Sequence, residues 1–408
     1  MKKLLIALAL LSFPAASCVG QTAAYPDFEL VETIPVETTL DNPDIRNTTG
    51  VWVGMIGRAK ESLDFEEFYV SHKAGEPLDS VIGAIIAAAR RGVKVRFIAD
   101  ARMYRTYPEV IDSLARVPNI AKRIIDIGKF AGGVQHAKYF IVDGEEIFLG
   151  SQNFDWRALK HIHELGLRIR HRDAVSIYRD IFELDWKLAE HNDRAEAASL
   201  LSAKTYAVPF ALKYGDSDSV VFTPTMSPKS LIIDSSLWDE TAIVKLIDGA
   251  TKDVMCQFLT YSPATRDKSY YAVLNDALIR AAARGVKVKL IVADWSKESP
   301  TVDYLKKLSR IPNIEVNFSV IPEFSGGYIP FSRVEHCKFI VADDDEFWLG
   351  TSNAERGYFY SSRNVGVVAQ NKTLAGLLRK IFLKGWEGPY MEKVDGTKEY
   401  SPRKHGEN

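Results

Sequence analysis

Cysteine is scarce. Of the three in 408 residues, Cys18 falls in the leader, and Cys256 and Cys337 are too few for a disulfide framework. The fold must therefore rest on its hydrophobic core. An excess of charge is missing too, with 52 Lys and Arg against 53 Asp and Glu and a formal net charge of −1. That excludes a global basic field, so any contact with nucleic acid has to come from a local patch. The apolar run from Leu4 to Phe13 is too short to span a bilayer. Nothing in the composition, 46% hydrophobic and 26% charged, points to disorder; it describes a globular chain of two domains or two halves.

The first residues are read as a targeting segment. MKKLLIALALLSFPAASCVGQ has two lysines, an apolar stretch, and Ala15, Ala16 and Ser17 ahead of Cys18, the layout of a secretory signal peptide over residues 1–18. A cysteine directly after small residues is similar to a bacterial lipoprotein cleavage site, although Ala15 stands where Leu is usual. Two outcomes stay open, lipidation of Cys18 with tethering to a membrane or simple cleavage and release; an uncleaved anchor is disfavoured. Either way the expectation is an exported protein, periplasmic, membrane-tethered or secreted.

What the chain does have is an internal repeat. AAARRGVKVRFIAD at Ala87–Asp100 recurs as AAARGVKVKLIVAD at Ala281–Asp294, and LARVPNI from Leu114 as LSRIPNI from Leu308. HAKYFIVDGEEIFLGSQN from His136 recurs as HCKFIVADDDEFWLGTSN from His336. The offset grows from 194 residues at the Leu pair to 200 at the His pair, so the second half carries six extra residues, around YIPFSR, in a loop beside the motif.

Each half reads as helix, Gly, buried strand, helix, strand. The helices are expected near Leu78–Arg91 and Tyr270–Arg284, ending at Gly92 and Gly285, with strands at VKVRFIAD and VKVKLIVAD. Alternating strands and helices predict an α/β fold: two repeated halves, each a mixed β-sheet flanked by helices. The expected boundaries are 28–195 for the first domain, 196–218 for a polar connecting segment, 219–392 for the second domain and 393–408 for a polar tail.

In an extended segment alternate side chains share a face, so His136 and Lys138 converge while Ala137 points away. An Asp-Gly turn then returns the chain and delivers Ser151 and Asn153 near the histidine. His336, Lys338, Thr351 and Asn353 repeat the arrangement. Asp143 and Asp343, past the strand and before the turn, suit a stabilising role. Cys337 faces away and reads as a small buried hydrophobe.

HxKxxxxD followed six residues later by G[ST]xN, present twice, resembles the phospholipase D superfamily. LVETIP, LGSQNFDWRAL with KHIHELG, IPFSRVEHCKFIV, LGTSNAERGYF and IFLKGWEGPY extend the likeness from about Phe28 to Tyr390 and make it similar to the animal lysosomal 5′-exonuclease branch and its poxvirus relatives. The resemblance implies that both motifs meet in one active site between the halves, so that no partner is required to complete it. It implies a phosphodiesterase in which one histidine forms a covalent phosphohistidine and the other protonates the leaving group and then activates water. His136 is assigned as nucleophile and His336 as acid/base, with the reverse assignment left open. Lys138, Lys338, Asn153 and Asn353 would hold the nonbridging oxygens, with hydrogen bonds from Ser151 and Thr351. No metal or other cofactor is implied. Glu164 and Asn364 stand at the same 200-residue offset, where relatives place a carboxylate that orients the histidine of the other motif; Asn364 cannot supply charge, so the histidines would have different partners.

The implied substrate is single-stranded DNA or RNA trimmed 5′→3′; the alternative is phospholipid, cleaved or exchanged at its headgroup. A catalytically dead scaffold is disfavoured, because every His, Lys and Asn of both motifs is present. Tyr270 and Tyr271 are candidates for stacking on a base, with core packing expected for at least one of them. Tyr328–Phe331 in the insertion would form an apolar rim or a nucleotide platform. His161, His163, His171 and His191 lack metal-ligand spacing and read as surface or helix-face residues. DDDE reads as a solvated turn.

Overall fold

The computed structural model describes residues 26–191, 199–201, 204–265 and 269–406. The leader over 1–18 with Cys18, and part of the 196–218 connection, lie outside the described residues. No described helix is long and apolar enough to cross a membrane.

Two sheets carry the repeat. The first has eight strands, in the order Arg46–Asn47, Phe28–Thr33, Glu164–Arg170, Glu146–Gly150, Tyr139–Val142, Ser62–Glu67, Lys94–Asp100 and Ile120–Ile125. The second has nine: Phe210–Tyr214, Asp218–Ser227, Asn364–Gln370, Glu346–Gly350, Phe339–Ala342, Asp253–Phe258, Lys287–Ala293, Ile314–Ser319 and Met391–Lys393. In both, three parallel strands sit beside an antiparallel motif hairpin, so each sheet is mixed. The helices Leu78–Arg90 and Val273–Ala283 supply the first parallel crossover of each sheet, and Gly92 and Gly285 leave them at φ 101° and 92°, where a side chain would be strained. Asn119 and Asn313 of the repeated PNI take φ 70° and 69° to launch the next strand.

The halves share a core. Helices Arg172–Leu188 and Lys372–Trp386 follow equivalent strands, and their Tyr178, Phe182, Leu378 and Phe382 are buried in one apolar cluster with Phe28, Tyr139, Phe222 and Phe339. The Tyr178 hydroxyl donates to the Gly366 carbonyl at 2.8 Å across the junction. A continuous core makes the two halves one packed unit, which is what lets residues 172 and 228 positions apart meet with fixed geometry.

Two boundaries differ from the sequence reading. Phe210–Tyr214, placed there in the connecting segment, is an edge strand of the second sheet, with Phe210 opposite Phe222. The 393–408 tail also docks: Val394 is buried, Tyr400 packs edge-on against Phe318 at 5.1 Å, and His405 stacks on Trp295 at 4.5 Å.

Candidate active site

Each motif histidine hangs from a backbone bridge between the halves. Gln135 pairs with Arg363 and Glu335 with His163. The His136 amide donates to the Arg363 carbonyl at 3.0 Å, and the His336 amide to the His163 carbonyl at 2.9 Å. These parallel contacts bring the two motifs face to face.

The motif glycines allow the second half of each hairpin to close. Gly150 lies opposite Gly166 and Gly350 opposite Gly366. A Cβ on Gly150 would sit 2.6 Å from the Gly166 Cα, and one on Gly350 2.9 Å from the Gly366 Cα, so any side chain would push the strands apart and move Ser151 and Thr351 with them.

Those hydroxyls hold the cross-half partners. Glu164 Oε2 lies 2.7 Å from His336 Nδ1 and accepts from the Ser151 hydroxyl at 2.5 Å. Asn364 Oδ1 lies 2.9 Å from His136 Nδ1 and accepts from the Thr351 hydroxyl at 2.9 Å. The Asn364 amide nitrogen donates to the carbonyls of Tyr358 and Ser362 at 2.9 and 3.2 Å, which fixes its oxygen toward His136. His136 must then carry its proton on Nδ1, leaving the Nε2 lone pair available.

Lys138 and Lys338 each donate to the carbonyl of their own motif histidine. Both ammonium groups are buried and repel one another: burial and Lys338 hold Lys138 well below its ordinary pKa, and burial pulls Lys338 down to about 7 against the attraction of Glu164. Asn153 Oδ1 and both amide atoms of Asn353 are buried without a hydrogen-bond partner among the described residues. Two crowded ammonium groups and the orphaned Asn353 amide nitrogen, all donors, call for an anion with several oxygens, and a phosphodiester supplies one.

Residues 53–186 and 243–386 match the family described as cardiolipin synthase, PLD-like domain. The chain belongs to the phospholipase D superfamily. It is 27% identical over 400 residues to phospholipase D Z of Dictyostelium discoideum, covering 93% of this chain and 92% of the relative. It is 28% identical over 404 residues to the 5′-3′ exonuclease PLD3 of Rattus norvegicus, covering 90% and 80%. The fold matches that of phosphatidylserine synthase from Haemophilus influenzae Rd KW20 at a TM-score of 0.63 and 13% identity, over 86% of this chain and 87% of that one. Like other members of the phospholipase D superfamily, the protein is an enzyme acting on phosphodiester bonds.

Within this superfamily site the two halves are electrostatically unequal. Burial and Lys138 hold His136 well below the ordinary histidine pKa, against the pull of its Asn364 bond. Burial, Lys338 and Lys138 lower His336 as well, while burial pushes its partner Glu164 up to about 8, opposed by Lys338 and Ser151. Glu164 and His336 are one coupled group, and at neutral pH the pair keeps a proton that the His136–Asn364 pair does not.

Asp143 and Asp343 stand at the far end of the motif strands with φ 52° and 53°. The Asp143 carboxylate accepts from the amides of Lys60, Glu61 and Ser62 at 2.8–3.2 Å. Asp343 accepts from those of Thr251, Lys252 and Asp253 and from the Thr251 hydroxyl. Both tie the hairpin to the start of the neighbouring strand. Asp343, in DDDE, is thus engaged, while Asp344 pairs with Lys252 at the surface.

Two of the remaining histidines differ from the sequence reading, while Tyr271 packs in the core as expected for one of the tyrosine pair. His161 and His163 are buried, not on the surface, and burial pulls His161 down to about 4. His171 caps the helix Arg172–Leu188 through its ring, and His191 is half-buried just beyond it. Tyr271 is buried with its hydroxyl on Glu240; Tyr270 is 50% exposed and stacks on Tyr304 at 5.8 Å. Sequence reasoning gave no role to Phe68 or Tyr358, half-buried rings 5.0 and 4.8 Å from the His136 ring. Phe68 lies outside every motif; Tyr358 falls within AERGYF, where the resemblance alone singled out the segment.

Proposed function

We propose that the protein is a 5′→3′ exonuclease on single-stranded nucleic acid that works through a phosphohistidine on His136. The observation that carries the assignment of roles is the exchange of partners between the halves: a neutral amide on His136 and a carboxylate on His336. His136 Nε2 attacks phosphorus in line as the bond to the leaving oxygen breaks, and the proton held by the Glu164–His336 pair passes from the imidazole to that oxygen. In the second step His336 takes a proton from water, the water oxygen attacks phosphorus, and the phosphorus–nitrogen bond to His136 breaks. Lys138, Lys338, Asn153 and Asn353 neutralise the equatorial oxygens throughout.

The aromatic rings beside His136 support a nucleic-acid substrate, since a base flanking the scissile phosphate has faces on which Phe68 and Tyr358 can stack. Among the described residues, the exposed large hydrophobics are Tyr270, Tyr328 and Phe331; the last two, in the insertion, are the feature that favours a phospholipid instead. A single-stranded oligonucleotide with a free 5′ end and phosphatidylcholine vesicles, each incubated in EDTA with wild type and His136→Ala, separate the readings. Stepwise loss of 5′ nucleotides with wild type alone is expected. Choline release without nucleotide loss would move the enzyme to lipid, and a strict need for added divalent metal would overturn the mechanism. Export is part of the same proposal, with Cys18 as the tether; a Cys18→Ser variant that still partitions with membranes would exclude lipid anchoring there.

A further inference from the structure

One buried ion cluster is not used by the chemistry above, yet its middle residue joins both elements of the acid/base pair. His163 precedes Glu164, and its backbone carbonyl receives the His336 amide. Its side chain reaches the residues around His336. Nδ1 lies 2.5 Å from Glu335 Oε2, and Nε2 lies 2.9 Å from Glu32 Oε1. Gln257 donates to Glu335 at 2.7 Å, and Asn42 donates to both Glu32 oxygens at 2.9 and 3.1 Å. All five are buried. Two carboxylates on the two ring nitrogens require both to bear hydrogen, so the ring is an imidazolium.

The repeat supplies a built-in comparison. The equivalent of His163 is Arg363, whose guanidinium is fully buried and paired with Asp185 of the helix Arg172–Leu188, at 2.5 and 2.7 Å. Arg363 turns away from the motif segment it bridges; Gln135, the equivalent of Glu335, bonds to Glu66 instead. Only on the His336 side does the bridging residue hold the neighbouring motif residue with its own side chain.

We propose that His163 is a positioning residue for the acid/base half of the site: its imidazolium, clasped by Glu32 and Glu335, anchors the segment carrying His336 and sets the electrostatic field at Glu164. This rests on the phosphodiesterase reading with His336 as acid. The groups facing the ring are Glu32 from the strand Phe28–Thr33, Glu335 and Cys337 from the motif segment, and Glu164 beside it in sequence. Burial opposes the charged ring, but Glu335 and Glu32 on its two nitrogens favour it, and its pKa is raised well above the ordinary value. The Cys337 thiol is itself pushed up to about 12 by burial and stays neutral, so the fixed charges are the two carboxylates. His163, Glu335 and Cys337 do present donor atoms within 4.8 Å of one another, as a metal site would. Both ring nitrogens already face carboxylate oxygens, however, which leaves no lone pair for an ion.

The test uses opposite charge changes. His163→Gln removes a positive charge and leaves two carboxylates near Glu164, which raises the proton affinity of the Glu164–His336 pair. Its alkaline limb is expected to move up by about one pH unit, with turnover falling by up to about 100-fold as His336 loses its anchor. Glu335→Gln removes a negative charge and is expected to move the limb down. The pair is read twice: from the alkaline limb of kcat/KM on the oligonucleotide, or on phosphatidylcholine vesicles if only these are cleaved, and from the His336 ring nitrogen shifts between about pH 5 and 10 in the resting protein. Lower turnover with neither reading displaced in either variant would make His163 merely structural and overturn the proposal. Absence of turnover in wild type would count against the phosphodiesterase reading alone, because the nitrogen shifts still report on His163. If His163→Gln does not fold, the downward shift in Glu335→Gln decides.

Discussion

The Glu164 carboxylate and the His336 imidazole, 172 positions apart in sequence, meet at 2.7 Å. The equivalent contact, between residues 228 positions apart, joins Asn364 to His136 at 2.9 Å. One repeat therefore yields two histidines with the same neighbours but different charge, and the difference assigns chemistry. A leaving group that needs no proton exposes it. With a p-nitrophenyl ester of thymidine phosphate, His336→Ala is expected to release one equivalent of p-nitrophenol per site and stall with phosphorus on His136. His136→Ala should release none. With an oligonucleotide, whose alkoxide must be protonated, His336→Ala should lose about 10²–10⁴-fold. Rapid-quench mass spectrometry reads the adduct; an adduct on His336 in His136→Ala would reverse the assignment.

The same asymmetry sets the pH profile. His136 attacks only when neutral, and burial and Lys138 keep its pKa well below 6.5, so the acid limb of kcat/KM lies below that value. Activity also needs the proton shared by Glu164 and His336, and with Glu164 raised to about 8 by burial the alkaline limb falls near there. Asn364→Asp places a carboxylate on His136, which favours the imidazolium and should move the acid limb up by about one unit or more. An acid limb unmoved in that variant would mean that His136 is not the group titrating.

Beneath the His136 side, Arg363 and Asp185 form an ion pair in which neither side chain reaches solvent, and the guanidinium also donates to the carbonyls of Ser227 and Leu231 at 3.0 and 2.9 Å. Removing one member strands the other charge in the core. Asp185→Ala is expected to cost about 3–5 kcal/mol in urea unfolding. Because the Arg363 backbone carries the His136 amide, activity should fall together with the folded fraction. A loss below about 1 kcal/mol would show that the pair is relaxed by water.

How much of this was legible in the sequence follows from which contacts are periodic. The repeat and the alternation of His136 with Lys138 lie along one strand, and the 200-residue offset aligns Glu164 with Asn364, so the motifs could be read directly, whereas the partnering of these two residues with the histidines was implied only by the resemblance to the superfamily. The clasp on His163 could not, because Glu32, Asn42, Gln257 and Glu335 come from four separate segments with no common period. An isolated histidine in KHIHELG carries no mark of burial between carboxylates. Phe210–Tyr214 was hidden for a different reason: as an edge strand its residues alternate between half-buried and exposed, and FALKY next to a polar stretch reads as a connection.

The aromatic rings against His136 give the remaining prediction, and it bears on substrate. Phe68 lies 5.0 Å and Tyr358 4.8 Å from the imidazole, and Lys138 Nζ sits 4.9 Å above the Phe68 ring, so both rings border the phosphate position. If they stack on a base, truncating either to Ala removes about 1–3 kcal/mol of binding, a rise in KM of roughly 5- to 150-fold on an oligonucleotide. Phe68→Tyr and Tyr358→Phe keep a ring face and should stay close to wild type. The contrast matters because the rings also shield His136 from water: if shielding were their whole role, the Ala variants would raise the His136 pKa, move the acid limb up and lower kcat while leaving KM alone. Measuring KM and the acid limb on the same four variants therefore distinguishes a nucleotide platform from a hydrophobic wall, and a KM indifferent to ring removal would count against nucleic acid as the substrate held at His136.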